Sequence, residues 1–276
     1  MKVFYTPKMV AQAGEFSPSP RKPAFVVAAW EEAGILLDLE KPAPATIAQL
    51  SLAHDAEHVK NILSRQKANG FGNVDRMVAM SLPYTSGAML AAARWAIRNR
   101  SAAAAPCSGF HHASWKRADA FCTFNGLMVT TCALRQEGLA QKIAILDCDM
   151  HLGNGTLNII EGLGADSWIK HITIYEDYTA DISLLTLLPQ FIEGFADCDI
   201  VLYQAGADPH IDDPLGGYLT TEQLHERDRI VFRECRRLNL PIAWNLAGGY
   251  QSDFDKVIDI HTNTARACQN IYYSIA

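Results

Sequence analysis

The sequence predicts an α/β fold, a mainly parallel sheet flanked by helices in three layers, and three observations carry that reading. Short apolar runs alternate with longer helical stretches along the whole chain. The runs read as strands buried on both faces, which is the mark of crossover units and a parallel sheet. Four of them lead directly into loops that place Asp, His or Tyr beside glycine, where an open α/β sheet presents its strand ends to a ligand. Apart from the short Ala102 to Ala105 run, no repeat or low-complexity tract interrupts the alternation, so the 276 residues read as one domain.

The strands are expected at Lys2 to Tyr5, Ala103 to Cys107, Ile143 to Leu146, Ile172 to Tyr175, Ile200 to Gln204 and Ile242 to Leu246. Helices are expected at 24 to 39, 55 to 67, 75 to 99, 123 to 137, 184 to 196, 221 to 238 and 254 to 272. Pro83 and Gly87 should break or kink the third helix, because proline removes a donor and crowds the preceding turn. Gly138 follows the fourth where a left-handed cap belongs.

A hydrophobic content of 49% supports an ordinary packed core, and a net charge of −6 excludes a broad nucleic-acid surface. The clusters Arg94/Arg98/Arg100 and Arg233/Arg236/Arg237 read as solvated helix faces. Seven cysteines, odd in number and never spaced Cys-x-x-Cys, argue against a disulfide framework and suit a reducing compartment. The opening MKVFYTPKMV lacks the regions of a signal peptide, and no apolar run is long enough to span a bilayer. A cytoplasmic protein without membrane or nucleic-acid partners is expected.

Asp147, Asp149 and His151 leave the third strand at i, i+2 and i+4. In extended chain, side chains two apart share a face, so all three can enter one cavity. Asp147, Asp149, Gly153 and Gly155 together disfavour a helix there. Carboxylate and imidazole ligands fit zinc with an open position for water, and Asp208, in a tight Gly-Ala-Asp-Pro loop, is the natural third ligand. Cys148 should face away into the core. Two carboxylates nearly neutralise the dication, so the site needs a base. The adjacent His111 and His112 suit proton transfer near neutral pH. Asp147, if not a ligand, can hold one ring; Asn154 can hold the other or cap the helix that follows. Gly248 and Gly249 let the backbone approach a ligand, which places Gly249 in a substrate channel. The Tyr250 hydroxyl can then donate to a developing oxyanion.

The segments SGFHHA (108 to 113), FCTFNGL (121 to 127), ILDCDMHLGNGT (145 to 156), QAGADPHIDDPLGG (204 to 217) and LAGGY (246 to 250) stand in one order along the chain, with HDAEHVKNIL (54 to 63) as a weaker early match. Together they resemble the histone deacetylase family and its bacterial relatives, which include acetylpolyamine deacetylases. The resemblance implies an arginase–deacetylase type fold. By its roles Asp149, His151 and Asp208 bind Zn²⁺ (or Fe²⁺ in cells), His111 and His112 handle protons, and Asp147 orients the first of them. Tyr250 polarises the amide carbonyl, and Phe121 matches the aromatic wall of the acyl-lysine channel. Asn154 looks like the class II and polyamine-deacetylase branch, and it should leave His112 the less basic of the pair.

Several positions depart from the family. Leu152 replaces the second histidine of the usual His-His-Gly. Tyr175-Glu176 stands where Ser-Leu is usual beside a structural potassium ion, which weighs against K⁺ here. The loop from Asp177 to Ser183 lacks the second channel phenylalanine, with Tyr178 as a candidate substitute, and SPSPRKP replaces an early His-Pro-Glu. The expected substrate is a small acylated amine or acyl-lysine rather than a histone tail. The rivals are a catalytically silent acyl-amine binder and a two-manganese ureohydrolase. The second would need a further Asp after His151.

Overall fold

The computed structural model describes residues 1–12, 17–174 and 183–274. Along the chain lie β1 (Lys2–Phe4), α1 (Lys22–Glu32), β2 (Asp38–Glu40), α2 (Ile47–Leu50), α3 (Ala56–Leu63), α4 (Arg76–Asn99) and β3 (Ala102–Ala105). There follow α5 (Gly126–Gln136), β4 (Ile143–Asp147), α6 (Asn154–Leu163), β5 (Ile169–Thr173), α7 (Ser183–Glu193), β6 (Ile200–Gln204), α8 (Thr221–Arg237), β7 (Ile242–Asn245) and α9 (Phe254–Tyr272). The strands form one sheet in the order β2-β1-β3-β7-β6-β4-β5, with every pairing parallel.

The three layers follow from side-chain alternation along the inner strands. In β4, Ile143 and Ile145 pack with residues of α4, α5 and α6, while Ala144 and Leu146 face the layer built from α1, α7, α8 and α9. Both faces are thus covered, and the strands need no polar positions until their ends. The central four, β3, β7, β6 and β4, are contiguous, so the loops leaving their carboxyl ends lie side by side.

Several boundaries differ from the sequence expectation. The first helix stops at Glu32, because Gly34 takes a left-handed φ of +73°, and the chain then adds the polar, exposed edge strand β2 beside β1. Helix α4 passes through Pro83 without a break. The Pro83 carbonyl accepts from Ala45 N at 2.8 Å. Gly87 lets the same loop approach, since a Cβ there would land on the Ala43 carbonyl oxygen. Strand β5 begins at Ile169 rather than Ile172, and the Tyr175 end of the expected strand lies outside the described residues. Helix α6 was expected only as the helix that follows Asn154, without bounds, because its two glycines and two asparagines blur its pattern. Gly138 does take a left-handed φ of +70° after α5.

Candidate metal centre and active site

Asp147 ends β4 at 0% exposure, and the chain then turns across the sheet edge so that Asp149 and His151 face Asp208 in the loop after β6. His151 Nδ1 lies 3.0 Å from Asp149 Oδ1 and 3.1 Å from Asp208 Oδ2. Ligand atoms of these three residues all lie within 4.8 Å of one another, and among the described residues they form a group able to hold a metal ion. Two buried carboxylates in one cavity repel. Burial, and then the neighbouring Asp149 carboxylate, push Asp208 up to about 7. His151 responds in the opposite sense, raised to about 10 by its bonds to Asp149 and Asp208. A divalent cation relieves the same repulsion while displacing the histidine proton, so the donor set fits a metal.

The backbone is shaped around these carboxylates. Gly248 N donates to Asp149 Oδ2 at 2.9 Å, and a Cβ on Gly248 would collide with Asp208 Oδ2. Any larger residue there would fill the space that the carboxylates share. Gly249, expected in the substrate channel, does not line the cavity. It holds φ +138° with its Cβ position pressed between Val257 and Ala207, so packing is what requires glycine there, and Gly248 lines the cavity instead.

The two histidines stand with ring centroids 4.0 Å apart on the loop after β3, beside the metal group. His111 Nδ1 pairs with Asp147 Oδ2 at 2.7 Å, and its Nε2 lies 3.5 Å from Asp149 Oδ1. Burial alone would lower its pKa, but the Asp147 and Asp149 carboxylates outweigh that and raise it to about 9. His112 Nδ1 pairs instead with the neutral Asn154 Oδ1 at 2.7 Å. Burial, and then the neighbouring His111, lower its pKa. Adjacent imidazoles thus differ in basicity because carboxylates outweigh burial at His111, whereas burial and the neighbouring His111 prevail at His112. Asn154 is the first residue of α6, but Gly153 occupies the N-cap position and no side chain makes a capping bond, so the expected cap by Asn154 is not formed and its side chain serves His112.

Tyr250 lines the same cavity as His111, His112, Asp149 and His151, with its amide donating to Asp213 Oδ2 at 2.7 Å. Burial, then Asp149 and Asp208, keep its hydroxyl protonated far above the usual tyrosine range. The Phe121 ring centroid stands 5.8 Å from that of Tyr250 and 5.9 Å from that of Phe71. Cys148 is fully buried in the core. Tyr175, Glu176 and Tyr178, on which the potassium and second-wall expectations rest, lie outside the described residues.

Four supporting groups escaped the sequence reading. Arg227, at 0% exposure, donates from Nη1 to the Cys148 carbonyl at 3.2 Å and the Gly206 carbonyl at 2.7 Å, tying together the two loops that carry the ligands. Its charge is met by Asp228, which also binds Tyr203 and Thr264. Lys22, also fully buried, donates to the carbonyls of Ala247 and Gly248 at 2.8 and 3.2 Å. Gln204 Nε2 donates to Asp147 Oδ1 at 2.9 Å. His54 links the Ser114 carbonyl to the Asn125 amide, bracketing the segment that bears Phe121. Leu224, Arg227, Asp228, Val231 and Cys235 share one helix face, so an Arg-Asp pair at core spacing was the available signal for Arg227.

Comparison with known proteins agrees with this architecture. The family model described as the histone deacetylase domain matches residues 18–182 and 173–265. An uncharacterized protein of Picosynechococcus sp. is 29% identical over 186 residues, 59% of this chain and 61% of that protein, so the match spans less than two thirds of the relative. Among solved structures, the HDA15 HD domain superposes with a TM-score of 0.77 over 98% of this chain and 93% of that one, at 18% identity. Acetylpolyamine aminohydrolase from Burkholderia pseudomallei gives 0.75 over 98% and 99%, also at 18% identity. The chain belongs to the histone deacetylase domain family.

Proposed function

We propose that the chain is a zinc-dependent deacylase that hydrolyses the amide of a small acylated amine or acyl-lysine, with its 276 residues acting as one catalytic domain. The observation that carries this reading is a single cavity shared by Asp149, His151, Tyr250 and a histidine pair of unequal basicity. A zinc ion held by Asp149, His151 and Asp208 would polarise the amide carbonyl and lower the pKa of water, and iron(II) suits the same donors.

The remaining chemistry belongs to the side chains. His112, neutral near pH 7, takes a proton from water at Nε2 and hands it to the leaving nitrogen, which departs as the amine. His111, held cationic by Asp147, offsets the negative charge that builds as the carbonyl becomes tetrahedral. Tyr250 keeps its proton and donates to the carbonyl oxygen, a bond that strengthens as that oxygen gains charge. Phe121 and Tyr250 flank the entry with apolar surface suited to a methylene stem. The seven cysteines are all free, which supports a reducing, cytoplasmic setting.

The test is turnover on acetyl-lysine peptides, acetylpolyamines and small acetylated amines, before and after chelation and zinc readdition. Activity lost on chelation and regained with zinc is expected. A fully metallated protein that binds these amides yet releases no free amine would contradict the proposal.

A further inference from the structure

We propose that a hollow at the amino ends of β3 and β7, across the sheet from the metal centre, binds a small hydroxylated phosphate monoester such as a sugar phosphate. Ser101 directly precedes β3 and Leu240 lies just before β7, whereas the catalytic loops leave the carboxyl ends of the same strands. Along the sequence, Arg94/Arg98/Arg100 and Arg233/Arg236/Arg237 read as two solvated helix faces. The fold brings one member of each, Arg100 and Arg236, to the walls of a single hollow of about 320 Å³.

These two guanidiniums differ from their neighbours in lacking an anion. Arg94, Arg233 and Arg237 pair with Glu137, Glu234 and Glu193 respectively. Among the described residues no carboxylate pairs with Arg100 or Arg236, and none lines the hollow. Both arginines are nonetheless held in place. Arg100 Nη2 donates to the Asn239 carbonyl at 2.5 Å, and the Arg236 guanidinium stands 5.7 Å from the centre of the Tyr272 ring. Planar forks of N–H donors fixed in this way match the oxygens of a phosphate.

Both α4 and α8 end beside the hollow, and each helix carboxyl end carries about half a negative charge. Together they amount to about −1 against about +2 from the arginines, so the balance favours an anion. The terminal carbonyls are also occupied. Ala96 O accepts from Ser101 N, and those of Glu234, Cys235 and Arg236 accept from the amides of Leu238, Leu240 and Asn239. The volume lies at the lower end of small-molecule sites, about 300–1,000 Å³, and exceeds that of one phosphate group. Asn99 and Ser101 complete the lining with an amide and a hydroxyl, which suit the hydroxyls of a sugar better than an apolar body.

The experiment is calorimetric titration of the full chain with ribose 5-phosphate, inorganic phosphate and ribose at one ionic strength. We expect a Kd below about 1 mM for ribose 5-phosphate, binding at least about tenfold weaker for inorganic phosphate, and none for ribose. Arg100→Gln and Arg236→Gln should each weaken ribose 5-phosphate binding by at least about tenfold. Arg98→Gln, exposed on α4 and outside the hollow, should leave it unchanged. Thermal unfolding of each variant without ligand checks that the fold is kept. Binding that persists in the Arg100→Gln/Arg236→Gln double variant would place the anion elsewhere, the metal centre included, and overturn the proposal. Absence of binding by either phosphate would overturn it as well. Inorganic phosphate bound as tightly as ribose 5-phosphate would overturn the sugar phosphate in favour of the free ion.

Discussion

Acidification should weaken this fold through His54, and the size of the effect follows from its two hydrogen bonds. Its Nδ1–H donates to the Ser114 carbonyl at 2.9 Å, and its Nε2 accepts from the Asn125 amide at 2.8 Å. That arrangement requires the neutral ring, because a proton on Nε2 would face another N–H. Burial is the chief cause that lowers the His54 pKa from 6.5 to about 4. The unfolded chain therefore binds this proton more readily than the native one. Stability from His54 is complete above pH 6.5 and is lost as pH falls toward 4. At 1.36 kcal/mol per pKa unit, linkage gives a loss of about 2 kcal/mol between pH 7 and pH 5, and about 3 kcal/mol once both states are protonated. Urea unfolding of the wild type and His54→Gln at both pH values isolates this contribution, because every other titrating group is common to the two proteins. The wild type should lose about 2 kcal/mol more than the variant between pH 7 and pH 5. Equal losses would refute the argument. Since His54 brackets the segment bearing Phe121, catalytic activity should also decline with acid before global unfolding is complete.

Replacing Arg227 by Met should cost about 3–5 kcal/mol in urea unfolding, because Asp228 is left buried and charged without its partner; a loss below 1 kcal/mol would contradict that pairing. Asn154→Asp should move the acidic limb of the kcat/KM–pH profile to higher pH by about one unit, since a carboxylate favours the His112 imidazolium where the amide does not. An unchanged profile would remove His112 from the proton-transfer role. Tyr250→Phe should lower kcat by about 10²–10³ with little change in KM, if its hydroxyl acts on the charge that develops during reaction. A change confined to KM would make it a ground-state contact instead.

The fold was legible where burial dictates composition. Central strands such as Ile200–Gln204 are buried at every position, so they read as unbroken apolar runs with sharp ends. The edge strand Asp38–Glu40 is exposed at all three positions and carries two charges, so nothing in its composition separates it from a loop. The bounds of helix α6 were hidden because Asn154 and Gly155 answer to needs other than helix propensity. Gly155 must let the backbone of His112 and Ala113 pass where a Cβ would sit. The candidate site was legible because the strand-end residues are short polar groups placed among glycines. Its scaffolding was not. Arg227, Lys22 and His54 each act on backbone carbonyls or amides distant in sequence, and such partners leave no local pattern. Gly249 shows the converse error: a glycine beside a functional tyrosine suggests ligand approach, whereas Val257 and Ala207 set its size.

The central claim, that Asp149, His151 and Asp208 together hold one catalytic divalent ion, is tested most directly by metal content measured alongside activity in the wild type and Asp208→Asn. We predict one zinc per wild-type chain, and in Asp208→Asn weaker zinc retention with activity reduced by at least about 100-fold. An Asp208→Asn protein that keeps one zinc per chain and full activity would contradict it.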